Sequence, residues 1–480
     1  MQVIHISAEC YPAAKAGGLG DVVGALPKYL SQAGHPALVI IPKYKQKWIL
    51  NQPFERIFST LVRLGDMQVP VHVDRYTGNS LGFGLLTVDI PGFFDREGIY
   101  IDTHTGYGYS DEAERYVLFQ QTVLKFLLES PEKPDIIHCH DHHTGLIPFM
   151  IKHCPEYRAL SEIPTMFTIH NGQYHGAFSW SRSWILPWYD ANANGLLDWD
   201  HNINPLACAI KCCWKFSTVS GGYLNELRYA ANGLESLINM EFHKAYGIVN
   251  GIDNQVWDPK NDPLLAYPLV ENIDEYKAQN KQVIAERFAI QADLPLITFI
   301  GRLVGEKGAD LIPGAIMRFL EQGGQASFVV LGTGDPALRD VFMQMRERLW
   351  SYFDTSIEYN EQLSHQLYAG SDFLMMPSRV EPCGLNQLYS FRYGTIPIVR
   401  SIGGLAETVI DVTQWEGNGL RFDDLSEDAL CRSFHRAAEL FQRKDILIPL
   451  RERIMKLDFS WEKAADTYIS IYKTLQPSFA

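Results

Sequence analysis

The chain has 480 residues, 46% hydrophobic and 20% charged, an ordinary globular balance over a length that fits two or three domains rather than one. Its formal net charge is −14 and no Lys/Arg block stands out, which argues against nucleic acid or an anionic membrane surface as partner, because both need clustered cations. The eight cysteines form no CxxC pair, so no zinc ribbon is indicated, and they read as reduced core thiols.

The N-terminus enters a strand-like run at Val3–Ala8 with no basic leader region, and no stretch of about 18 apolar residues occurs. This predicts a cytoplasmic protein (plastid stroma for a processed plant chain) without a membrane span. A glycine-rich turn, Lys15 to Gly20, follows. Next comes a helical pattern with Val22, Val23, Leu26, Tyr29 and Leu30 on one face, in which Pro27 predicts a kink. Further strands are expected at 37–41, 85–90, 135–139, 165–169, 216–219 and 248–250, with amphipathic segments such as 112–128 between them. Short, near-continuous apolar strands alternating with helices imply a parallel sheet covered on both faces.

The pattern restarts in the second half. Strands are expected at 296–300, 328–331, 356–359, 373–376 and 396–399, and helices at 309–320, 336–349 and 385–393. Between the halves, Trp257–Glu275 is rich in Pro, Asp and Asn without periodicity and is expected to be the hinge. The segment 461–475 reads as a last amphipathic helix. In open α/β sheets ligands bind beyond the carboxyl ends of strands, so the residues that follow each strand are the candidates for chemistry.

Lys15-Ala16-Gly17-Gly18-Leu19-Gly20 lets the backbone approach a phosphate, although it fits neither GxGxxG nor the Walker pattern and reads equally as a tight turn with a surface lysine. His138-Cys139-His140-Asp141-His142-His143 invites a metal, with His138 and His140 on one strand face; the competing reading is core and hydrogen-bonding histidines. His170, after another strand, suits either a sugar hydroxyl and a developing cation or a satisfied core position. Arg302 and Lys307 flank a strand-to-helix turn where they can neutralise a diphosphate leaving group, or else pair on the surface with Glu306 and Asp310. The longest station is Pro377 to Leu388, where Glu381 precedes Gly384 and a helix start whose amides can bind phosphate or sugar.

Taken in order, KAGGLGDV from Lys15, HCHDHHTGL from His138, TIHNGQYHG from Thr168, FSTVSGGY from Phe216, NGID from Asn250, GRLVGEKGADLI from Gly301 and PSRVEPCGLNQLYSFRYGTIPIVRSIGGLAETV from Pro377 resemble the bacterial glycogen synthase and plant starch synthase family over almost the whole chain. The resemblance implies an α/β GT-B fold, with two Rossmann-like domains whose parallel sheets face a deep interdomain cleft. The N-terminal domain would span 1–258 and the C-terminal domain 259–458, with a terminal helix over 459–480 crossing back. It implies retaining transfer of glucose from ADP-glucose to the non-reducing end of an α-1,4-glucan such as glycogen or a starch primer, with release of ADP and no metal or cofactor. By that similarity Arg302 and Lys307 hold the diphosphate, and Lys15, Gly17 and Gly18 contact it from the other domain. His170, Glu381, Cys383, Gly384 and Leu385 surround the glucose, with Asn386 near the phosphates. Tyr359 packs on the adenine, while Glu9 and Asp141 lie on the acceptor side. Glu381 orients donor hydroxyls rather than acting as a nucleophile.

The sequence departs from the family pattern at several places. His142 stands for Trp, His175 for Gln, Gly221-Gly222 for Pro-Thr, Glu306 for Gln and Asn386 for Thr; Tyr389 at the position of a second Glu is usual for the family. His142, His175 and the glycine pair bear on acceptor preference, and Glu306 on diphosphate binding through like-charge repulsion. Two rival readings share the fold: a UDP-glucose enzyme, and a catalytically weak glucan-binding or regulatory protein.

Overall fold

The apolar runs of the first half form the middle of a nine-stranded sheet in the computed structural model, which describes residues 1–476. The strands in chain order are β1 (Val3–Ile6), β2 (Ala37–Pro42), β3 (Phe54–Leu64), β4 (Met67–Tyr76), β5 (Gly84–Asp89), β6 (Ile136–His140) and β7 (Thr165–Ile169). Three two-residue strands, β8 (Phe178–Ser179), β9 (Asp198–Trp199) and β10 (Asn202–Ile203), make a small separate sheet. Then β11 (Lys215–Thr218) and β12 (Ala245–Gly247) rejoin the main one. The order is β12-β11-β7-β6-β1-β2-β5-β4-β3, parallel except at β3–β4 and β4–β5. Every residue of β1, β6 and β7 is buried, as strands covered on both faces should be.

The second half builds a fully parallel six-stranded sheet from β13 (Leu296–Ile300), β14 (Ser327–Leu331), β15 (Phe353–Ser356), β16 (Phe373–Met376), β17 (Ile396–Arg400) and β18 (Leu420–Phe422), in the order β15-β14-β13-β16-β17-β18. This is the doubly wound 3-2-1-4-5-6 order, and the parallel part of the first sheet repeats it outward from β1. In each sheet the order reverses between its first and fourth parallel strands, β1/β6 and β13/β16, where such folds place ligands.

The chain divides into two compact units, Met1–Val219 with Leu224–Ile248 and the segment from Trp461, and Ser220–Tyr223 with Val249–Ser460. The divisions at 248/249 and 460/461 differ from the expected 258/259 and 458/459. Trp257–Glu275, expected as the hinge, is bound into the second unit. Trp257 stacks on His365 and Tyr389 with centroids 4.0 and 3.8 Å apart, and Asp262 accepts from Tyr393 Oη and pairs with His365 Nδ1 at 2.5 and 2.7 Å. Its Pro/Asp/Asn content reports turns but not these ring contacts.

Helix starts follow local chemistry. Asn272, Asn360 and Ser426 each cap a helix through a side-chain oxygen that accepts a backbone N–H, and Asp335 does so just before Pro336 at the first helical position. The helix Gly18–Gln32 runs through Pro27. The last helix, Trp461–Leu475, buries Trp461, Ala464, Ala465, Tyr468, Ile469, Tyr472 and Leu475 against Val22, Leu26, Tyr29 and Leu30, the 3–4 spacing of an apolar stripe. It thereby belongs to the first unit. No helix among the described residues is long and apolar enough to cross a membrane.

Candidate active site

In the first unit the site residues follow β1, β6 and β7. Glu9, expected on the acceptor side, is buried with both oxygens engaged. Oε2 accepts from the amides of Ala16 and Gly17 at 2.6 and 2.9 Å, and Oε1 accepts from Tyr100 Oη at 2.6 Å. The carboxylate thus shapes the glycine turn. Lys15, Gly17 and Gly18 are exposed, and nothing within 4 Å meets a Cβ built on either glycine, but the Gly17 amide is already committed to Glu9. Lys15 Nζ pairs with Asp21 at 2.6 Å. Tyr100 lies 91 residues from Glu9 in sequence, and no local pattern announces the contact.

The histidine run resolves into a hydrogen-bonded network. The register places His5 of β1 beside His138 of β6. His5 Nδ1 meets His140 Nε2 at 3.0 Å, and His140 Nδ1 meets His170 Nε2 at 3.0 Å. His138 uses both nitrogens, on Tyr472 Oη and Thr168 Oγ1, at 2.7 Å each. Both His138 nitrogens are thus engaged in hydrogen bonds, as in a satisfied core histidine. Burial pushes His5 and His170 down to about 3 and holds His138 and His140 well below the ordinary imidazole range, so all four are neutral at physiological pH. The sequence reading missed His5, although alternation along β1 and its pairing with β6 carry the signal.

Asp141 follows β6 with φ 55° and ψ 176°, a backbone region that side chains rarely occupy and that concentrates at functional sites. Its Oδ1 accepts from the His170 amide at 2.7 Å. Burial pushes the carboxyl up to about 7, against the amides of His170 and Asn171. His175 is tied down by Gly172 O at 3.2 Å and Asn204 at 3.3 Å.

In the second unit the ends of β13 and β16 flank a cavity of about 170 Å³ lined by Gly301, Lys307, Ser378, Glu381, Leu385 and Asn386, among others. Lys307 Nζ donates to both oxygens of the buried Glu381 at 2.8 Å, and Ser378 Oγ donates to Oε2 at 3.0 Å. Lys307 is brought there by Gly308, whose φ of 67° and lack of Cβ allow a close approach to Pro377 O, 1.9 Å from where a Cβ would stand. Arg302 is exposed and meets Glu306 at 3.5 Å, so Glu306 lies against the cation that the sequence assigns to a diphosphate. Asn386 Nδ2 donates to Ile300 O at 2.6 Å, tying the two strand ends together. Gly384, at φ 73°, is backed by Gln387, whose amide donates to the carbonyls of Cys383 and Gly384. Burial pushes the Cys383 thiol up to about 12, so it is a neutral thiol rather than a nucleophile, and it does not line this cavity. Tyr359 follows β15, is 84% exposed and does not line this cavity. Gly222, part of an unusual pair, leaves no room for a side chain: a Cβ there would stand 2.1 Å from Gly403 O.

Two doubly wound units with cationic side chains and helix-start amides beyond the strand ends define a GT-B glycosyltransferase, and the comparisons agree. Residues 2–240 match the family model described as starch synthase catalytic domain, and residues 280–441 match glycosyl transferases group 1. The chain is 43% identical to the glycogen synthase of Flavobacterium johnsoniae over 477 residues, 99% of either chain, and 35% identical to that of Streptococcus gordonii over 486 residues, 99% of this chain and 100% of that one. The catalytic domain of starch synthase IV from Arabidopsis thaliana, solved bound to ADP and acarbose, superposes with a TM-score of 0.85 at 32% identity, covering 98% of this chain and 99% of that one. The chain therefore belongs to the glycogen synthase and starch synthase family of hexosyltransferases.

Proposed function

We propose that the enzyme transfers glucose from ADP-glucose to the non-reducing end of an α-1,4-glucan, releasing ADP and retaining the anomeric configuration. The observation that carries this reading is the Lys307–Glu381 pair beside the β13/β16 cavity, with Arg302 exposed at the same strand end. Breaking a glucose–phosphate bond builds negative charge on the diphosphate and positive charge on the sugar. A lysine and an arginine at one turn stabilise the first, and the second is met by the buried Glu381 carboxylate. Arg302 and Lys307 accordingly hold the diphosphate, with the amides of Gly384 and Leu385 and the side chain of Asn386. Glu381 orients donor hydroxyls and keeps Lys307 in place. Tyr359 offers an exposed ring for the adenine. Lys15 and the Gly18 amide, on a loop shaped by Glu9, bind phosphate, while the Gly17 amide holds the loop through Glu9. His170 and Asp141 act on the sugar and the acceptor. The departing phosphate helps deprotonate the incoming hydroxyl on the same face, which accounts for retention.

Support for the nucleotide comes from the ADP-bound starch synthase IV neighbour and for the acceptor from the glycogen synthase relatives. A cytoplasmic setting is part of this reading and agrees with eight unpaired, buried cysteines. Nucleotide release from ADP-glucose and from UDP-glucose, each with and without glycogen, tests it. Glycogen-dependent ADP release is expected. UDP release alone would overturn the donor, and release of neither would overturn the activity.

A further inference from the structure

The motif FSTVSGGY supplies no residue to the sugar-transfer reading, yet its last four residues, Ser220–Tyr223, fold with the second unit. There they meet two pieces of the donor side, the turn Glu381–Gly384 and the helix Gly403–Thr408. Ser220 is fully buried. Its hydroxyl donates to Pro382 O at 2.5 Å and accepts from the Tyr223 amide at 2.9 Å. Two residues on, the Gly222 amide donates to Glu407 Oε2 at 2.8 Å, from a glutamate that is itself exposed.

The three pieces close on one another. The Gly404 amide donates to Glu381 O at 3.0 Å, and a Cβ on Gly404 would stand 2.1 Å from Cys383 O, so the helix start lies directly on the turn. The segment lies as closely on the helix, since Gly222 meets Gly403 O without room for a Cβ. Backbone thus meets backbone at two of the three contacts, and the Ser220 hydroxyl bridges the third. Threonine, usual in the family at 222, does not fit this geometry. The Gly221-Gly222 pair, expected to bear on the acceptor, instead lets the segment reach the donor side.

The turn belongs to neither β16 nor the helix Asn386–Arg392, so its path is set by contacts of this kind. It carries Glu381 and Gly384, and a misplacement of about 1 Å at such groups costs on the order of hundredfold in rate. We propose that Ser220 and Glu407 are positioning residues for the donor sugar. They touch no substrate and act by holding the Glu381–Gly384 turn, Ser220 directly through Pro382 and Glu407 through Gly222. The inference rests on the transfer reading above, which wild-type turnover tests by itself.

Steady-state kinetics with ADP-glucose and glycogen, set beside calorimetric titration with ADP, provides the test. The titration counts intact sites, so kcat per titrated site separates a displaced turn from unfolded protein. Ser220→Ala and Glu407→Ala should each lower kcat per site about tenfold, with the donor KM changed less, because alignment matters most in the transition state. Glu407→Gln keeps an acceptor for the Gly222 amide and should stay within about twofold of wild type. Glu407 is exposed, so its variants fold even if Ser220→Ala does not. Wild-type kcat per site in Ser220→Ala or Glu407→Ala, a loss confined to the number of ADP sites, or a Glu407→Gln protein as slow as Glu407→Ala would overturn the proposal. An inactive wild-type protein would sink the transfer reading and the proposal with it.

Discussion

At the residue scale the account turns on charge balance around Arg302 and Lys307. Lys307 is held by a carboxylate that satisfies it at two oxygens, which fixes its direction without leaving it unpaired. Lys307→Ala removes that charge from the place where the leaving group develops its own. It should lower kcat on the order of hundredfold or more and also lower the thermal midpoint, because it leaves the buried Glu381 carboxylate without its cation, read by steady-state kinetics beside a melting curve. Glu306 acts in the opposite direction. Its carboxylate lies 3.5 Å from Arg302, partly neutralising a cation assigned to the donor. Glu306→Gln should lower the donor KM a few-fold with kcat little changed, since an exposed pair of this kind contributes about 0.2–1 kcal/mol. The charged positions were legible in the sequence because each follows an apolar strand. The partners that fix them, Tyr100 for Glu9 and Ser378 for Glu381, were not. The first comes from a distant loop and the second is an ordinary Ser.

At the element scale, β7, β13 and β16 fall where apolar runs predict them, at 165–169, 296–300 and 373–376, because fully buried strands leave uninterrupted hydrophobic segments. The errors have physical causes. The strand expected at 356–359 is Phe353–Ser356, because alternation in Phe353-Asp354-Thr355 hides a buried edge strand behind a polar residue. The strand expected at 248–250 is Ala245–Gly247. The long antiparallel pair β3–β4 was not anticipated, since its outer face is exposed and it follows a sheet read as parallel. The last helix was legible to the residue, but its anchor was not: Tyr472 Oη meets His138 Nδ1 at 2.7 Å inside the first unit. Tyr472→Phe leaves that buried nitrogen without a partner and should cost about 1–3 kcal/mol, measured by urea unfolding.

At the scale of the whole molecule, the buried histidines make the first unit acid-sensitive. Above pH 6.5 they are neutral whether folded or unfolded and add no pH dependence. Below it the unfolded chain binds protons that the folded unit refuses, so stability falls as pH drops from 6.5 toward the folded values, about 3 for His5 and His170. Asp141 works the other way. Raised to about 7, it favours the folded state increasingly as pH falls from 7 toward 4. The buried histidines outnumber Asp141, so the net effect is a loss of stability as pH falls from 6.5 to 5.5. Denaturant melts at the two pH values should show it, and equal midpoints would contradict the neutral network. The repeat of doubly wound architecture was legible from the restart of strand–helix alternation. The units' boundary at 248/249 was not, because the segment after it is held by aromatic stacking that composition does not reveal.

The central claim, growth of a glucan at its non-reducing end, is tested most directly by incubating the enzyme with ADP-[14C]glucose and maltoheptaose and digesting the product with β-amylase, which removes maltose from non-reducing α-1,4 ends. The account predicts label in the glucan that appears in the first maltose released. Label that resists β-amylase, or stays on the nucleotide, would contradict it.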